Sequence, residues 1–328
     1  MYQLCQKHAI PHRNTGKWIV AQDAAQREAL EDIHRLAARI GAPTHFLTHA
    51  EAHRREPDVR AEAGVLESPS TGILDSHSLM QYLQGDFENQ GGLCAFRSPV
   101  TSITPVEAGK GGWAISTTTA PDGGREPTTT TTTTTITAET LVNAAGLSAV
   151  SLSNQILPHD RQHTAFYAKG TYFSYPRSHP RPSTLIYPAP VPGHPGLGIH
   201  LTLDLAGRIR FGPDVQWTDN PTDYTPNAHG PALAAARAAI HAYLPAVDAA
   251  AIQPDYAGIR PKLARHAAAA TATRGAAATA FHDFYIAREH GFAGFVNLLA
   301  IESPGLTACL AIAEEVEALL YGRVCRDR

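Results

Sequence analysis

Cysteine is scarce. The four in 328 residues, Cys5, Cys94, Cys309 and Cys325, show no paired spacing, which argues against a disulfide framework and fits a reducing compartment. An excess of one charge is missing as well. With 27 Lys and Arg against 30 Asp and Glu, nothing draws the chain to nucleic acid or to an anionic membrane surface. No apolar run approaches the ~20 residues of a bilayer span, and the first residues lack the pattern of a signal or transit peptide. What is present is 43% hydrophobic residues. A chain of this length buries a full core and is expected to divide into two lobes.

Hydrophobic periodicity places most of the elements. Lys17-Trp-Ile-Val-Ala21 reads as a short strand, and residues 22–40 as an amphipathic helix with Leu30, Ile33, Leu36, Ala37 and Ile40 on one face. A second helix spans 76–90, with Leu79, Tyr82, Leu83 and Phe87 inward and Gly91-Gly92 as its stop. Strands follow within 93–106 and over 113–118. The turn Asp122-Gly-Gly124 leads to a run of threonines, Thr128 to Thr135, read as an expanded hairpin loop with no function of its own. Residues 165–217 alternate in strand fashion between Gly and Pro turns, as an antiparallel sheet does. Residues 231–243 form an alanine-rich helix, and 267–279 a low-complexity insertion before a strand at 284–286. His45, His49 and His53 stand at i, i+4 and i+8, a spacing that suggests zinc. Thr48 and Glu51, however, make a capping box that starts the helix after His45, so these are solvated histidines rather than one metal-binding face.

Residues 294–320 carry the strongest local pattern. A buried strand, 295–301, turns within three residues into a helix, with Ser303 as N-cap and Pro304 at the first helical position, where its missing N–H costs nothing. Leu306, Cys309, Leu310, Ala313, Val316 and Leu320 form an apolar stripe at helical spacing. Such a turn aims free backbone N–H groups beyond the strand end, where negative charge is favoured.

Matching stretches along almost the whole chain point to one family. They are Thr15-Gly-Lys-Trp-Ile-Val-Ala21, Ser68-Pro-Ser-Thr-Gly-Ile-Leu-Asp-Ser-His-Ser-Leu79, Leu141-Val-Asn-Ala-Ala-Gly146 and Ala168-Lys-Gly-Thr-Tyr-Phe173. Ile186-Tyr-Pro-Ala-Pro190, Gly198-Ile-His-Leu-Thr202, Arg210-Phe-Gly-Pro-Asp214, Tyr256-Ala-Gly-Ile-Arg-Pro-Lys-Leu263 and the C-terminal stretch follow in family order. The chain resembles FAD-dependent L-2-hydroxyglutarate dehydrogenases, within the D-amino-acid-oxidase-like flavoproteins. In that family a Gly-x-Gly-x-x-Gly between strand and helix opens the protein. Here no such pattern occurs, and Gly109-Lys-Gly-Gly112 and Gly123-Gly124 lie in polar turns. Residues 1–11 resemble the end of a helix well inside the family pattern, and the family's histidine-containing loop near the flavin has no match. The expectation is a truncated chain that holds FAD weakly and tends to aggregate.

The resemblance implies an α/β (α+β) two-lobe flavoprotein, with an incomplete Rossmann-like FAD lobe and a mostly antiparallel substrate-lobe sheet. The FAD lobe comprises residues 76–158 and 287–328, and the substrate lobe 1–75 and 159–286. The implied reaction oxidises L-2-hydroxyglutarate, a small 2-hydroxy dicarboxylate, to 2-oxoglutarate and passes electrons to a quinone-type or other acceptor. Two alternatives stand beside it: a non-catalytic homologue unable to hold FAD, and an amine or amino-acid oxidase on the same fold. The implied location is mitochondrial in a eukaryote, otherwise cytoplasmic or membrane-peripheral.

Site residues follow from the same resemblance. The cofactor-binding set is Ala144, Ala145 and Gly146 at one strand end, Val100 through its backbone, and Ser303, Gly305, Leu306 and Thr307 at the helix start. Arg260 is the expected carboxylate clamp, because its fork matches a carboxylate in two parallel hydrogen bonds. Lys262 and Lys169 are second-rank cations, with surface ion pairing as the plainer reading. His200 and His77 are both candidates for the base, since an imidazole titrates near neutral pH. Tyr172 and Tyr187 line the pocket or fill the core. No metal is expected.

Overall fold

The computed structural model describes residues 1–119, 132–190, 198–227, 230–265 and 283–322. The turn at 122–124, Thr128 to Thr131, the 267–279 insertion and Cys325 lie outside these residues.

Alternation builds the largest sheet. In Lys17–Ala21, Leu185–Pro188, His200–Leu203 and Ile209–Gly212, the side chains of Trp18, Val20, Ile186, Leu201, Leu203, Ile209 and Phe211 are apolar and buried. With Phe173 they pack against Ala236, Ile240 and Tyr243 of the helix Pro231–Tyr243. Full burial of a large apolar side chain contributes about 1.5–3 kcal/mol, so this layer holds the sheet to the helix. Nine strands take part, in the order Gln216–Thr218, Phe166–Ser174, Ile209–Gly212, His200–Leu203, Leu185–Pro188, Lys17–Ala21, Gly64–Ser68 and His45–Leu47. Gln253–Lys262 is the ninth and pairs along Phe166–Ser174. Only Leu185–Pro188 against Lys17–Ala21 is parallel among these pairings. The residues between the apolar ones, among them Lys17, Tyr187, His200 and Arg210, project from the other face.

A second, three-stranded sheet runs Tyr285–Arg288, Phe295–Leu299, Leu141–Asn143, the last two parallel. Phe295–Leu299 is buried at every position, the pattern of a strand covered on both faces. Tyr285 and Ile286 pair with Leu299 and Leu298, so they join this sheet and not the large one. Val100–Pro105, Trp113–Thr119 and Thr132–Ala138 form an antiparallel meander, and His12–Arg13 pairs with Ile73–Leu74 in a short ribbon. Among the described residues, no helix is long and apolar enough to cross a membrane.

Several expectations change. Thr132 to Thr135 are strand, not loop, because β-branched threonines opposite Ser116, Thr117 and Thr118 suit an extended ladder. The helix Ala24–Arg39 buries Leu30 and Ala37 but leaves Leu36 and Ile40 exposed, and Ser76–Asn89 buries Leu79 while Leu83 and Phe87 stay exposed. The last helix, Gly305–Tyr321, has Pro304 rather than Ser303 at its N-cap and no side-chain capping bond. Its apolar stripe is only partly covered, with Leu306 50% exposed. Thr48 does cap His49–Arg55, accepting from the Glu51 N–H at 3.2 Å, and His45 lies in a strand.

Candidate functional site

The face of the large sheet turned away from helix Pro231–Tyr243 collects aromatic and cationic side chains. His200 is 6% exposed, and its ring stacks on that of Tyr187, with centroids 3.9 Å apart and planes 21° apart. Its Nδ1 lies 3.2 Å from the Gly198 carbonyl. A carbonyl only accepts, so Nδ1 carries the proton and Nε2 is left as an acceptor. Burial pushes the imidazole down to about 4; Arg260 and Lys17 push the same way, and the Gly198 carbonyl opposes them. His200 is therefore neutral at physiological pH. Burial, with Tyr172 nearby, pushes the Tyr187 hydroxyl up to about 12, so it keeps its proton and can donate.

Glycine makes room beside the histidine. Gly212 is the direct neighbour of His200 across the ladder and has φ +134°, and a Cβ there would lie 2.9 Å from the Thr171 carbonyl. This lets the Arg210-Phe-Gly-Pro-Asp214 segment lie against Phe166–Ser174, where Asp214 accepts from the Thr171 N–H at 2.6 Å. Tyr172 and Tyr256 stack there at 4.7 Å and 11°, with the Arg210 guanidinium 5.4 Å from the Tyr256 ring. Arg210 also meets Asp255 at 3.5 Å.

Arg260 stands opposite Ala168, and its Nη1 is 3.6 Å from Glu302. Lys262 pairs with the same carboxylate. Glu302 reaches them because Ala300, just past the strand Phe295–Leu299, adopts φ +55°, a left-handed conformation that a non-glycine residue enters only against strain. Lys17 holds its Nζ 5.1 Å from the Tyr187 centroid. Burial pulls its ammonium below the usual lysine range.

Two expected residues fall elsewhere. Lys169 alternates to the opposite side of its strand from Ala168; it is 7% exposed, and its Nζ sits 2.9 Å from Asp223, an ion pair on the other face from His200. His77 is exposed in the first turn of Ser76–Asn89, its N–H held by Asp75, and among the described residues no contact joins it to His200. Sequence reasoning passed over Lys17, Tyr256, Arg210 and Glu302. Lys17 was legible in principle, since alternation from the buried Trp18 places it on the His200 face.

The second region lies at the carboxyl ends of the parallel strands Leu141–Asn143 and Phe295–Leu299, the position where open α/β sheets bind ligands. A buried polar chain pins it. Asn143 Nδ2 donates to the Ala149 carbonyl at 2.7 Å and to Asn297 Oδ1 at 2.9 Å. Asn297 Nδ2 donates to Ser153 Oγ at 2.9 Å and to Glu289 Oε1 at 2.6 Å; the Tyr285 hydroxyl donates to the same oxygen, and Arg161 holds Oε2. Asn143 Oδ1 is buried without a hydrogen-bond partner. Beyond it Ala144, Ala145 and Gly146 are exposed, Gly146 at φ +58° with nothing within 4 Å of where a Cβ would be. Ser303, Leu306 and Thr307 are exposed at the start of the uncapped helix, and Gly305 is buried against Ile301. Val100, half-buried, begins the meander.

Residues 1–319 match the model of one protein family, described as FAD dependent oxidoreductase. Among curated proteins, the chain is 32% identical to the mitochondrial L-2-hydroxyglutarate dehydrogenase of Arabidopsis thaliana, over 96% of this chain and 68% of that protein. It is 26% identical to the L-2-hydroxyglutarate dehydrogenase of Escherichia coli K12, over 64% of this chain and 46% of that one. The chain thus spans about half to two thirds of the length of these relatives. Among solved structures, L-alpha-glycerophosphate oxidase from Mycoplasma pneumoniae superposes with a TM-score of 0.75 at 20% identity, covering 95% of this chain and 74% of that one. Glycine oxidase from Geobacillus kaustophilus gives 0.70 at 18%, covering 97% and 74%. At such identities the two structures speak for the fold alone.

Proposed function

Since this chain belongs to the FAD dependent oxidoreductase family, we propose that it oxidises L-2-hydroxyglutarate to 2-oxoglutarate, with electrons leaving to a quinone-type or other acceptor. The observation that carries this reading is that a buried, neutral His200 and Arg260 project from one face of the large sheet, with the guanidinium near enough for its field to lower the imidazole: a base and a carboxylate clamp turned to the same side.

The strand-end region suits one part of FAD. Small, exposed residues at Ala144, Ala145 and Gly146, the orphaned Asn143 Oδ1 and the uncapped N-terminus at Gly305, Leu306 and Thr307 offer a flat approach with N–H groups at its edge. The residues that would cradle a pyrophosphate, a Gly-x-Gly-x-x-Gly loop, are not in this sequence. Bound FAD supplies a hydride acceptor for the substrate carbinol carbon.

The chain's own groups do the rest. Arg260 binds the carboxylate next to the hydroxyl, competing with Glu302 for the guanidinium fork. Nε2 of His200 takes the hydroxyl proton; burial is what chiefly keeps the imidazole neutral, and the two negative charges of the substrate offset the added push of Arg260 and Lys17, which favours proton uptake at that step. Tyr187 keeps its proton and donates to the developing carbonyl oxygen. The Tyr172–Tyr256 stack lies on the same face and offers an aromatic surface to the carbon chain of the substrate. A mitochondrial location, as in the name of the Arabidopsis relative, belongs to the proposal for a eukaryotic source.

The test is anaerobic flavin bleaching by the FAD-loaded chain with L-2-hydroxyglutarate, its D-enantiomer, glycine and L-proline. Bleaching by the L-hydroxy acid alone is expected. Bleaching by an amino acid instead would replace the reading with an amine oxidase, and failure to take up FAD would replace it with a non-catalytic homologue.

A further inference from the structure

Resting on that reading of the site, we infer that Lys17 holds the distal carboxylate of the substrate and so makes the site select dicarboxylates over monocarboxylates. Three observations carry it. First, Lys17 projects from the same sheet face as the histidine, its Nζ 5.1 Å from the ring of Tyr187, which in turn stacks on His200. Second, the strand of His200 lies between the strands that bear the two cations. Lys17 is two strands to one side, through Leu185–Pro188; Arg260 is three to the other, through Ile209–Gly212 and Phe166–Ser174. The fields of both reach the imidazole.

Third, the other cations of the region already have carboxylates: Arg260 and Lys262 share Glu302, and Arg210 has Asp255. Among the described residues, Lys17 has none within ion-pairing distance, although its ammonium is drawn partly out of water. A half-buried cation held against an aromatic face, beside the base and without a counter-ion, is suited to an anion brought by the ligand. A molecule with carboxylates at both ends of a short carbon chain bridges Arg260 and Lys17 across the His200–Tyr187 pair. A monocarboxylate leaves Lys17 unanswered.

The prediction is read by binding, without turnover, using calorimetric titration with 2-oxoglutarate and with 2-oxobutyrate, its monocarboxylate counterpart. The parent chain should prefer the dicarboxylate by about 10- to 100-fold, the range of a charge-assisted hydrogen bond. Lys17→Met should raise the Kd for 2-oxoglutarate by about that factor and leave 2-oxobutyrate within about twofold, while Lys17→Arg keeps most of the preference. In the unliganded Lys17→Met protein, the His200 ring followed by NMR should titrate at higher pH, because a neighbouring positive charge is gone.

Equal weakening of both ligands would reduce Lys17 to a structural residue and overturn the inference. So would an unchanged preference, or a parent with no preference that still binds both acids. A parent that binds neither acid would remove the proposed function together with it.

Discussion

His200 is the residue whose environment says most. Its imidazole is pushed down to about 4 by burial, and the general base must be unprotonated to act. In the free, FAD-loaded protein, kcat/KM for L-2-hydroxyglutarate should therefore hold level through neutral pH and fall only as pH drops through about 4. An acid limb near an ordinary histidine value would place the base elsewhere. His200→Gln should lower kcat by about 10²- to 10⁴-fold, the usual contribution of a positioned base. Arg260→Lys keeps the charge but loses the planar fork. With charge-assisted bonds contributing roughly 1.5–3 kcal/mol, kcat/KM should fall by about one to two orders of magnitude at unchanged flavin content. Loss of flavin in that variant would make Arg260 a support of the interface instead. At this scale the sequence disclosed side chains whose chemistry is distinctive, such as Arg260 and His200. It did not disclose partners made by folding: Glu302 meets Arg260 and Lys262 only because Ala300 turns the chain, and Lys169 meets Asp223 from a loop more than fifty residues away.

Elements were most legible where one face alternates or repeats strongly. Lys17–Ala21 and Pro231–Tyr243 have the bounds that their sequence patterns predict. Helix faces were less so, because periodicity marks an apolar stripe without saying how wide a neighbour covers it; hence Leu36, Ile40, Leu83 and Phe87 at the surface. Nor does any pattern disclose the bridge between Leu141–Asn143 and Phe295–Leu299, a pair of asparagines 154 positions apart in sequence. That bridge is testable. Asn297→Ala takes one buried partner each from Asn143, Ser153 and Glu289, so stability should drop by about 1–3 kcal/mol, visible as a lower urea midpoint with an unchanged slope. Asn297→Asp, which cannot donate to Glu289 when ionised, should be worse still. A midpoint equal to the parent's would show that the chain of amides is dispensable.

Over the whole molecule, a mixed α/β fold with a largely antiparallel large sheet was legible in the sequence, through the strand-like alternation and the family resemblance, and the matched family spans nearly all of it. Exposed apolar surface was not. Met80, Leu83 and Phe87 lie on one helix and are 37–54% exposed, while Leu93 and Phe96 beyond it are 91% and 69% exposed. Such a concentration favours self-association. Sedimentation should show mass rising with concentration, and Leu93→Ser with Phe96→Ser should shift the protein toward the monomer. A purely monomeric parent at high concentration would count against this. The threonine strand has a different kind of consequence. Because Thr128 to Thr135 are identical, deleting any one of them yields the same chain, and Ile136 and Ala138 still meet Ile115 and Trp113. After such a deletion the four paired positions opposite Ser116 to Thr119 still carry threonine, and the register of Ile136 and Ala138 is unchanged. The ladder thus asks for threonine opposite Ser116 to Thr119 and not for a particular number of them, so the repeat specifies a surface rather than a length.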